Sequence, residues 1–66
     1  MTNSTIVLTY WTTGAYRCVL CDDDQGLFVK VLSDSGPLFL ESCTDPEDGA
    51  KRAEALFAIF DAVAGT

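Results

Sequence analysis

The side chains with the clearest chemical potential in this sequence are carboxylates, and they occur in two short runs. Asp22, Asp23 and Asp24 are consecutive, and a second run holds Asp45, Glu47 and Asp48. Clustered carboxylates can transfer protons, bind a divalent cation, or present negative charge to a basic protein surface. The groups around the two runs decide which of these uses the sequence favours.

Catalysis and specific metal binding are both disfavoured by the surroundings of these acids. Paired catalytic carboxylates need a cleft with contrasting environments, and a chain of 66 residues offers little cleft. A calcium loop follows D-x-[DN]-x-[DN]-G with a distal Glu, whereas in DDDQG the glycine, Gly26, comes too early. We therefore expect no catalytic residues, no metal site, no cofactor and no enzymatic activity, and we leave open a loose association with Ca²⁺.

The cysteines predict structural thiols rather than a redox or zinc site. Cys18 and Cys21 form a C-x-x-C spacing, but they fall within a predicted strand, where residues three apart point to opposite faces. The chain contains no histidine, which excludes Cys–His nucleophile pairs. An odd count of three cysteines and an N-terminus without a basic, apolar leader predict a cytoplasmic protein with free thiols.

Net charge limits the classes of partner. Ten acidic residues against four basic ones give a formal charge of −6. Direct binding to nucleic acid is disfavoured because Lys and Arg must neutralise the phosphates, and an anionic membrane surface is disfavoured for the same reason. No segment is apolar enough for a membrane span. A basic protein surface is the favoured partner.

The pattern of apolar residues and turn residues predicts four strands followed by one helix. We predict strands at residues 5–12, 15–21, 27–33 and 38–43, and a helix at 46–64. Short turns between the strands favour an antiparallel arrangement. The predicted fold is α+β, a single domain over residues 1–66: a four-stranded antiparallel β-meander with one C-terminal helix packed on one face (ββββα).

The predicted helix has clear boundaries and an apolar stripe. Asp45 is the expected N-cap and Pro46 the first helical residue, and Gly65 follows the last periodic residue. A period of 3.6 residues collects one stripe of small and apolar side chains: Gly49, Ala53, Leu56, Phe57, Phe60 and Ala64. This stripe requires a sheet to cover it.

The order of the turns brings the two acidic runs together. Turns in a meander alternate between the two ends of the sheet, so the second turn and the strand-to-helix junction share one end. We call the resulting cluster the acidic pole, and it comprises Asp22, Asp23, Asp24, Asp45, Glu47 and Asp48. Helix capping and turn formation explain some of these acids structurally. They do not explain three consecutive acids in one turn facing a second acidic run.

Strict alternation along the strands also predicts an uncovered sheet face, which we call the open face. The set assigned to the helix side is Ile6, Leu8, Tyr10, Tyr16, Cys18, Leu20, Leu27, Val29, Val31, Leu38 and Leu40. The set assigned to the open face includes Trp11, Val19, Phe28, Leu32, Phe39 and Glu41. Because one helix cannot cover both faces, Trp11, Val19, Phe28 and Phe39 form an alternative interface, suited to a homodimer or an assembly subunit. In the other interpretation, the sheet twists and its aromatic residues shield one another.

In size, charge and its acidic stretches CDDDQG and TDPEDG, the chain resembles the phage-encoded anti-CRISPR proteins. Many members of that group are small acidic inhibitors that block access of DNA to a Cas surveillance complex. The resemblance implies a non-enzymatic viral inhibitor that mimics nucleic acid, with a CRISPR-Cas complex as one candidate partner. It assigns no residue roles, so the acidic pole is predicted from topology alone.

Overall fold

The computed structural model describes residues 5–64, which form one four-stranded sheet and one helix. The elements are β1 (Thr5–Thr13), β2 (Tyr16–Asp23), β3 (Gly26–Ser33), β4 (Gly36–Ser42) and α1 (Pro46–Ala64). The strands lie side by side in the order β1-β2-β3-β4, and every neighbouring pair is antiparallel. The predicted ββββα meander is therefore confirmed. No helix among the described residues is long and apolar enough to cross a membrane.

The turn between β2 and β3 is tighter than predicted. A polar loop was expected from Asp22 to Gly26, but β2 continues through Asp23 and β3 begins at Gly26. Only Asp24 and Gln25 lie between the strands. Gly26 has a φ of 121°, a conformation that a residue with a Cβ rarely adopts, so glycine makes this short connection possible.

The helix begins as the sequence predicts. The Asp45 carboxylate accepts a hydrogen bond from the backbone N–H of Asp48 at 2.7 Å, as an N-cap residue does. The carboxylate of Asp48 in turn accepts from the N–H of Thr44 at 3.1 Å. These two bonds satisfy backbone donors at the helix start and fix the direction in which the chain enters the helix.

The main core lies between α1 and the middle of the sheet. Its buried members are Cys18, Leu20, Val29, Val31, Ala53 and Leu56. Gly49 is also buried, and a Cβ on it would lie 2.6 Å from the Tyr10 hydroxyl oxygen. The start of α1 therefore lies close against the sheet because residue 49 has no side chain, as the small residues of the predicted stripe indicate.

Trp11 lies on the helix side of the sheet, and its assignment to the open face was wrong. Its indole N–H donates to the carbonyl of Ala53 at 2.7 Å, and its ring meets Phe57 edge-on with centroids 5.4 Å apart. Register shifts near residues 7 and 10 of β1 are the reason. Each bulge inserts an extra residue and reverses the alternation beyond it. As a result Ile6 pairs with Cys21 on the open face, whereas the sequence pattern placed it under the helix.

A third register shift changes the faces of β4 in the same way. Phe39 pairs with Val31, a member of the core beneath α1, so its assignment to the open face was also wrong. Glu41 moves with it to the helix side, and Leu40 moves to the open face. The shift lies near the start of β4, between Pro37, which pairs with Leu32, and Phe39. Alternation counted along the sequence does not detect such an insertion.

The centre of the open face is occupied by its own side chains. Val19 and Phe28 lie on this face as predicted, but only 0% and 7% of their surfaces are exposed. They cluster with Cys21, and Leu32 packs beside them. The Lys30 ammonium lies 5.5 Å from the centroid of the Phe28 ring and covers it further. The expectation that Val19 and Phe28 form an exposed apolar patch was therefore wrong, and side chains that shield one another describe this face better.

Candidate functional site: the acidic pole

The two acidic runs lie at the same end of the sheet. Ser42 pairs with Phe28, and the N–H of Cys43 donates to the Leu27 carbonyl at 3.1 Å. The junction between β4 and α1 is thereby held beside the first residues of β3, next to the turn that contains Asp24. The meander thus brings residues 22–24 and 45–48 to one end, as the alternation of turns predicts.

Within this end the three consecutive aspartates point in different directions. Asp22 pairs with Leu27, which packs against the core beneath α1, so Asp22 lies on the helix side. Asp23 is the next residue of the strand and lies on the open face, where its carboxylate accepts from the N–H of Gln25 at 2.8 Å. Asp24 is exposed in the turn. Asp22 and Asp24 are therefore better placed than Asp23 to act together with the helix start.

The acids at the helix start divide into structural and free carboxylates. Asp45 and Asp48 satisfy backbone N–H groups there. Glu47 is exposed, and none of the side-chain hydrogen bonds within residues 5–64 involves it. The same holds for Asp22 and Asp24. We therefore expect Asp22, Asp24 and Glu47 to be the pole residues most available to a partner.

Arg52 is the base that pairs with the pole. Its Nε donates to the Asp48 carboxylate at 3.1 Å, and its Nη1 pairs with Glu41 on β4. The N–H of Thr44, followed by Arg52, lowers the pKa of Asp48 from its ordinary value. Arg52 thus joins the helix start to the sheet edge.

Sequence reasoning did not identify the ion pairs of Arg52. Asp48 and Arg52 are four residues apart in the helix, a spacing that allows such a pair, so that half of the network was detectable. The contact with Glu41 was not, because strict alternation placed Glu41 on the opposite face of the sheet. The bulge in β4 turns it towards the helix.

The carboxylates of the pole spread over a surface and do not converge on a point. Within residues 5–64, no group of three or more Asp, Glu or Cys side chains is arranged to hold a metal ion. Arg17 and Lys30 belong to β2 and β3, and both pair with residues of the open face, away from the helix side. Arg52 neutralises part of the charge of Asp48, whereas Asp22, Asp24 and Glu47 form no ion pair within residues 5–64, so these three acids can exert a negative field on a facing molecule.

The thiols are poor nucleophiles in the folded protein. Cys18 and Cys21 belong to the clusters on opposite sides of the sheet, as their spacing predicts. Burial, and then the neighbouring Cys21, raises the pKa of Cys18 to about 11. Cys43 is half-buried beside the pole, and burial followed by the charge of Asp48 raises its pKa. The thiolate, which is the reactive form, is therefore scarce at neutral pH.

Comparisons with protein families, curated proteins and solved structures find no match to this chain.

Proposed function

We propose that the protein is a non-enzymatic, protein-binding inhibitor that docks its acidic pole on a basic, nucleic-acid-binding groove, as anti-CRISPR proteins of the DNA-mimicking kind do. The observation that supports this proposal is the meeting of two separate acidic runs at one end of the sheet. Six of the ten acidic residues belong to these runs. A basic groove that binds phosphates would be attracted to such a surface.

The way in which the pole is built also favours docking. Its acids lie at the end of a strand, in a two-residue turn, in the three-residue junction before α1 and in the first turn of that helix, and none lies in a long loop. The capping bonds of Asp45 and Asp48 hold the helix start in place. A surface that is ordered before binding loses less conformational entropy when a partner engages it.

The alternative function, an assembly subunit that associates through an apolar surface, loses its original site. Trp11 and Phe39 are not on the open face, and Val19 and Phe28 are buried there. An apolar association would have to use another part of the molecule.

A matched pair of charge variants tests the proposed role of the pole. The first variant replaces three free pole carboxylates (Asp22→Asn, Asp24→Asn and Glu47→Gln). The control neutralises three acids elsewhere (Asp34→Asn, Glu54→Gln and Asp61→Asn). An Asn at position 61 retains an oxygen that can accept the hydrogen bond from Thr13. The two variants therefore have the same net charge and differ only in where charge is lost.

The assay is capture from host lysate at low and high salt, followed by competition with DNA for each captured protein. We expect the wild type and the control to capture a basic nucleic-acid-binding protein that added DNA displaces, and high salt to weaken the capture. The pole variant should lose that protein. Equal capture by all three, or capture that ignores salt and DNA, would refute the proposed function.

A further inference from the structure

The edge strand β4 exposes an unusual amount of apolar surface. Leu38, Phe39 and Leu40 are consecutive, and 52%, 38% and 58% of their surfaces are exposed. The cause is the position of α1, which packs on β1, β2 and β3 and makes little contact with β4. Within residues 5–64, the outer hydrogen-bonding edge of β4 has no neighbouring strand either. The strand is thus uncovered at its edge and on both faces.

A groove runs beside β4 on the helix side. It has a volume of about 320 Å³, and Leu56 and Ile59 of α1 contribute to its lining. Ile59 is 59% exposed. The rest of the groove lining is Ala55 and the charged residues Glu41, Lys51 and Arg52. Phe39 lies on the same side of the sheet but outside this lining.

We propose that β4 pairs in antiparallel fashion with β4 of a second copy of this chain, across a two-fold axis, and forms a continuous eight-stranded sheet. A strand added to a sheet edge satisfies the open backbone groups and places side chains on both faces. One added strand would therefore cover Phe39 on the helix side and Leu40 on the open face. A two-fold axis makes the same strand the partner on both copies, so no other surface is required.

Charge favours this orientation over a parallel one. Residues 36–40 carry no charge, so two β4 strands can approach each other although each chain carries −6. Antiparallel pairing places the two acidic poles at opposite ends of seven-residue strands, about 20 Å apart. That separation exceeds the screening length of about 8–10 Å at physiological salt. Parallel pairing would place both poles side by side and is therefore disfavoured.

The exposed apolar side chains supply about half of the area that a specific dimer needs. Leu38, Phe39, Leu40 and Ile59 are each about half exposed. Half of a large apolar residue corresponds to roughly 80 Å², so eight such residues in two copies supply about 640 Å². The backbone edges and flanking side chains would bring the total towards the 1,200 Å² or so at which specific interfaces begin.

The other edge of the sheet is less suited to the same pairing. β1 also exposes Ile6 and Val7, by 52% and 53%. However, its two register shifts fall near residues 7 and 10, within the body of the strand, and interrupt its edge. The single shift in β4 lies near its start and leaves residues 39–42 regular. This contrast makes β1 the natural control.

Sedimentation velocity from micromolar to roughly millimolar protein tests the proposal. The wild type should move from the 7.1 kDa of one chain towards twice that mass as concentration rises. The variant Leu38→Lys/Leu40→Lys should stay monomeric, with its Kd raised by roughly 100-fold or more, because each substitution acts twice across the axis. The control Ile6→Lys/Val7→Lys adds the same charge at equal exposure and should dimerise like the wild type.

A monomeric wild type over the whole range, or a β4 variant that dimerises normally, would overturn the proposal. So would a control variant that loses the dimer, because that result assigns the interface to β1. Circular dichroism checks that each variant is folded. Hydrogen exchange of the wild type supplies a second measurement that needs no substitution. Those amides of residues 38–42 that point away from β3 should become protected as concentration rises, and protection elsewhere instead would contradict β4 pairing. The Asp22→Asn/Asp24→Asn/Glu47→Gln variant should dimerise normally, since this interface is independent of the pole.

Discussion

The close approach of Gly49 to the sheet determines where the acidic helix start lies, and it can be tested by adding one methyl group. An alanine Cβ at this position would lie 2.6 Å from the Tyr10 hydroxyl oxygen and 3.3 Å from both Cys43 Sγ and Leu20 Cδ1. The Tyr10 hydroxyl cannot move freely, because it donates to the Pro46 carbonyl at 2.7 Å. The clash therefore opposes a hydrogen bond that ties β1 to the helix.

Two opposing effects set the sign of Gly49→Ala. Alanine is favoured over glycine inside a helix by about 1 kcal/mol. Overpacking costs roughly 1–3 kcal/mol, and loss of the Tyr10 hydrogen bond costs a further 0.5–1.5 kcal/mol or so. We expect the steric cost to prevail, with a net loss of about 1–3 kcal/mol in the free energy of unfolding.

A double-mutant cycle with Tyr10→Phe isolates the cause. Removing the hydroxyl removes the 2.6 Å neighbour and leaves contacts at 3.3 Å that need only small adjustments. In the Tyr10→Phe background, Gly49→Ala should therefore cost close to zero or stabilise, a coupling of about 1–3 kcal/mol. Urea unfolding followed by circular dichroism measures all four proteins. A stabilising effect of Gly49→Ala in the wild type, or an equal cost in both backgrounds, would contradict a steric clash with the Tyr10 hydroxyl.

Three further predictions concern the groups around the pole and the core. The folded-state pKa of Asp48 lies below its unfolded value of about 3.9. The ionised carboxylate therefore stabilises the fold above pH 3.9 or so, and this contribution is lost as the pH falls through the folded-state pKa. Asp48→Asn should therefore flatten the fall of the melting temperature in acid, whereas the control Glu54→Gln should not; parallel curves for all three proteins would contradict this. Iodoacetamide at neutral pH should modify the half-buried Cys43 slowly, and it should modify Cys18 only in denaturant. Mass spectrometry measures both reactions, and equal modification of the two thiols in the native state would argue against the buried position of Cys18. Trp11→Phe keeps an aromatic ring against the helix but loses the hydrogen bond to the Ala53 carbonyl, so it should lower the free energy of unfolding by about 1 kcal/mol. An unchanged free energy of unfolding would show that this hydrogen bond does not stabilise the fold.

The element order was predictable because it depends on local signals. Turn residues separate four β-rich segments, and Asp45 with Pro46 marks the helix start, so the fold and the shared end of the two acidic runs follow from the sequence. The side-chain bond from Asp45 to the helix start confirms the cap. These features need no information on how strands pair.

The faces of the edge strands were not predictable, because they depend on bulges. Strict alternation assigns Trp11 and Phe39 to the open face, but each lies beside an inserted residue and is on the helix side. An inserted residue leaves no mark in a pattern that is read one strand at a time. The central strands β2 and β3 pair without a register shift, and there the predicted faces of Cys18, Val19 and Phe28 are correct.

The most direct test of the account is the salt dependence of binding to the captured partner. Binding should weaken as salt rises for the wild type and for the Asp34→Asn/Glu54→Gln/Asp61→Asn control, and both should compete with DNA. The Asp22→Asn/Asp24→Asn/Glu47→Gln variant should bind at least about tenfold more weakly at low salt and depend less on salt. Unchanged affinity and unchanged salt dependence in that variant would show that the partner does not bind the acidic pole.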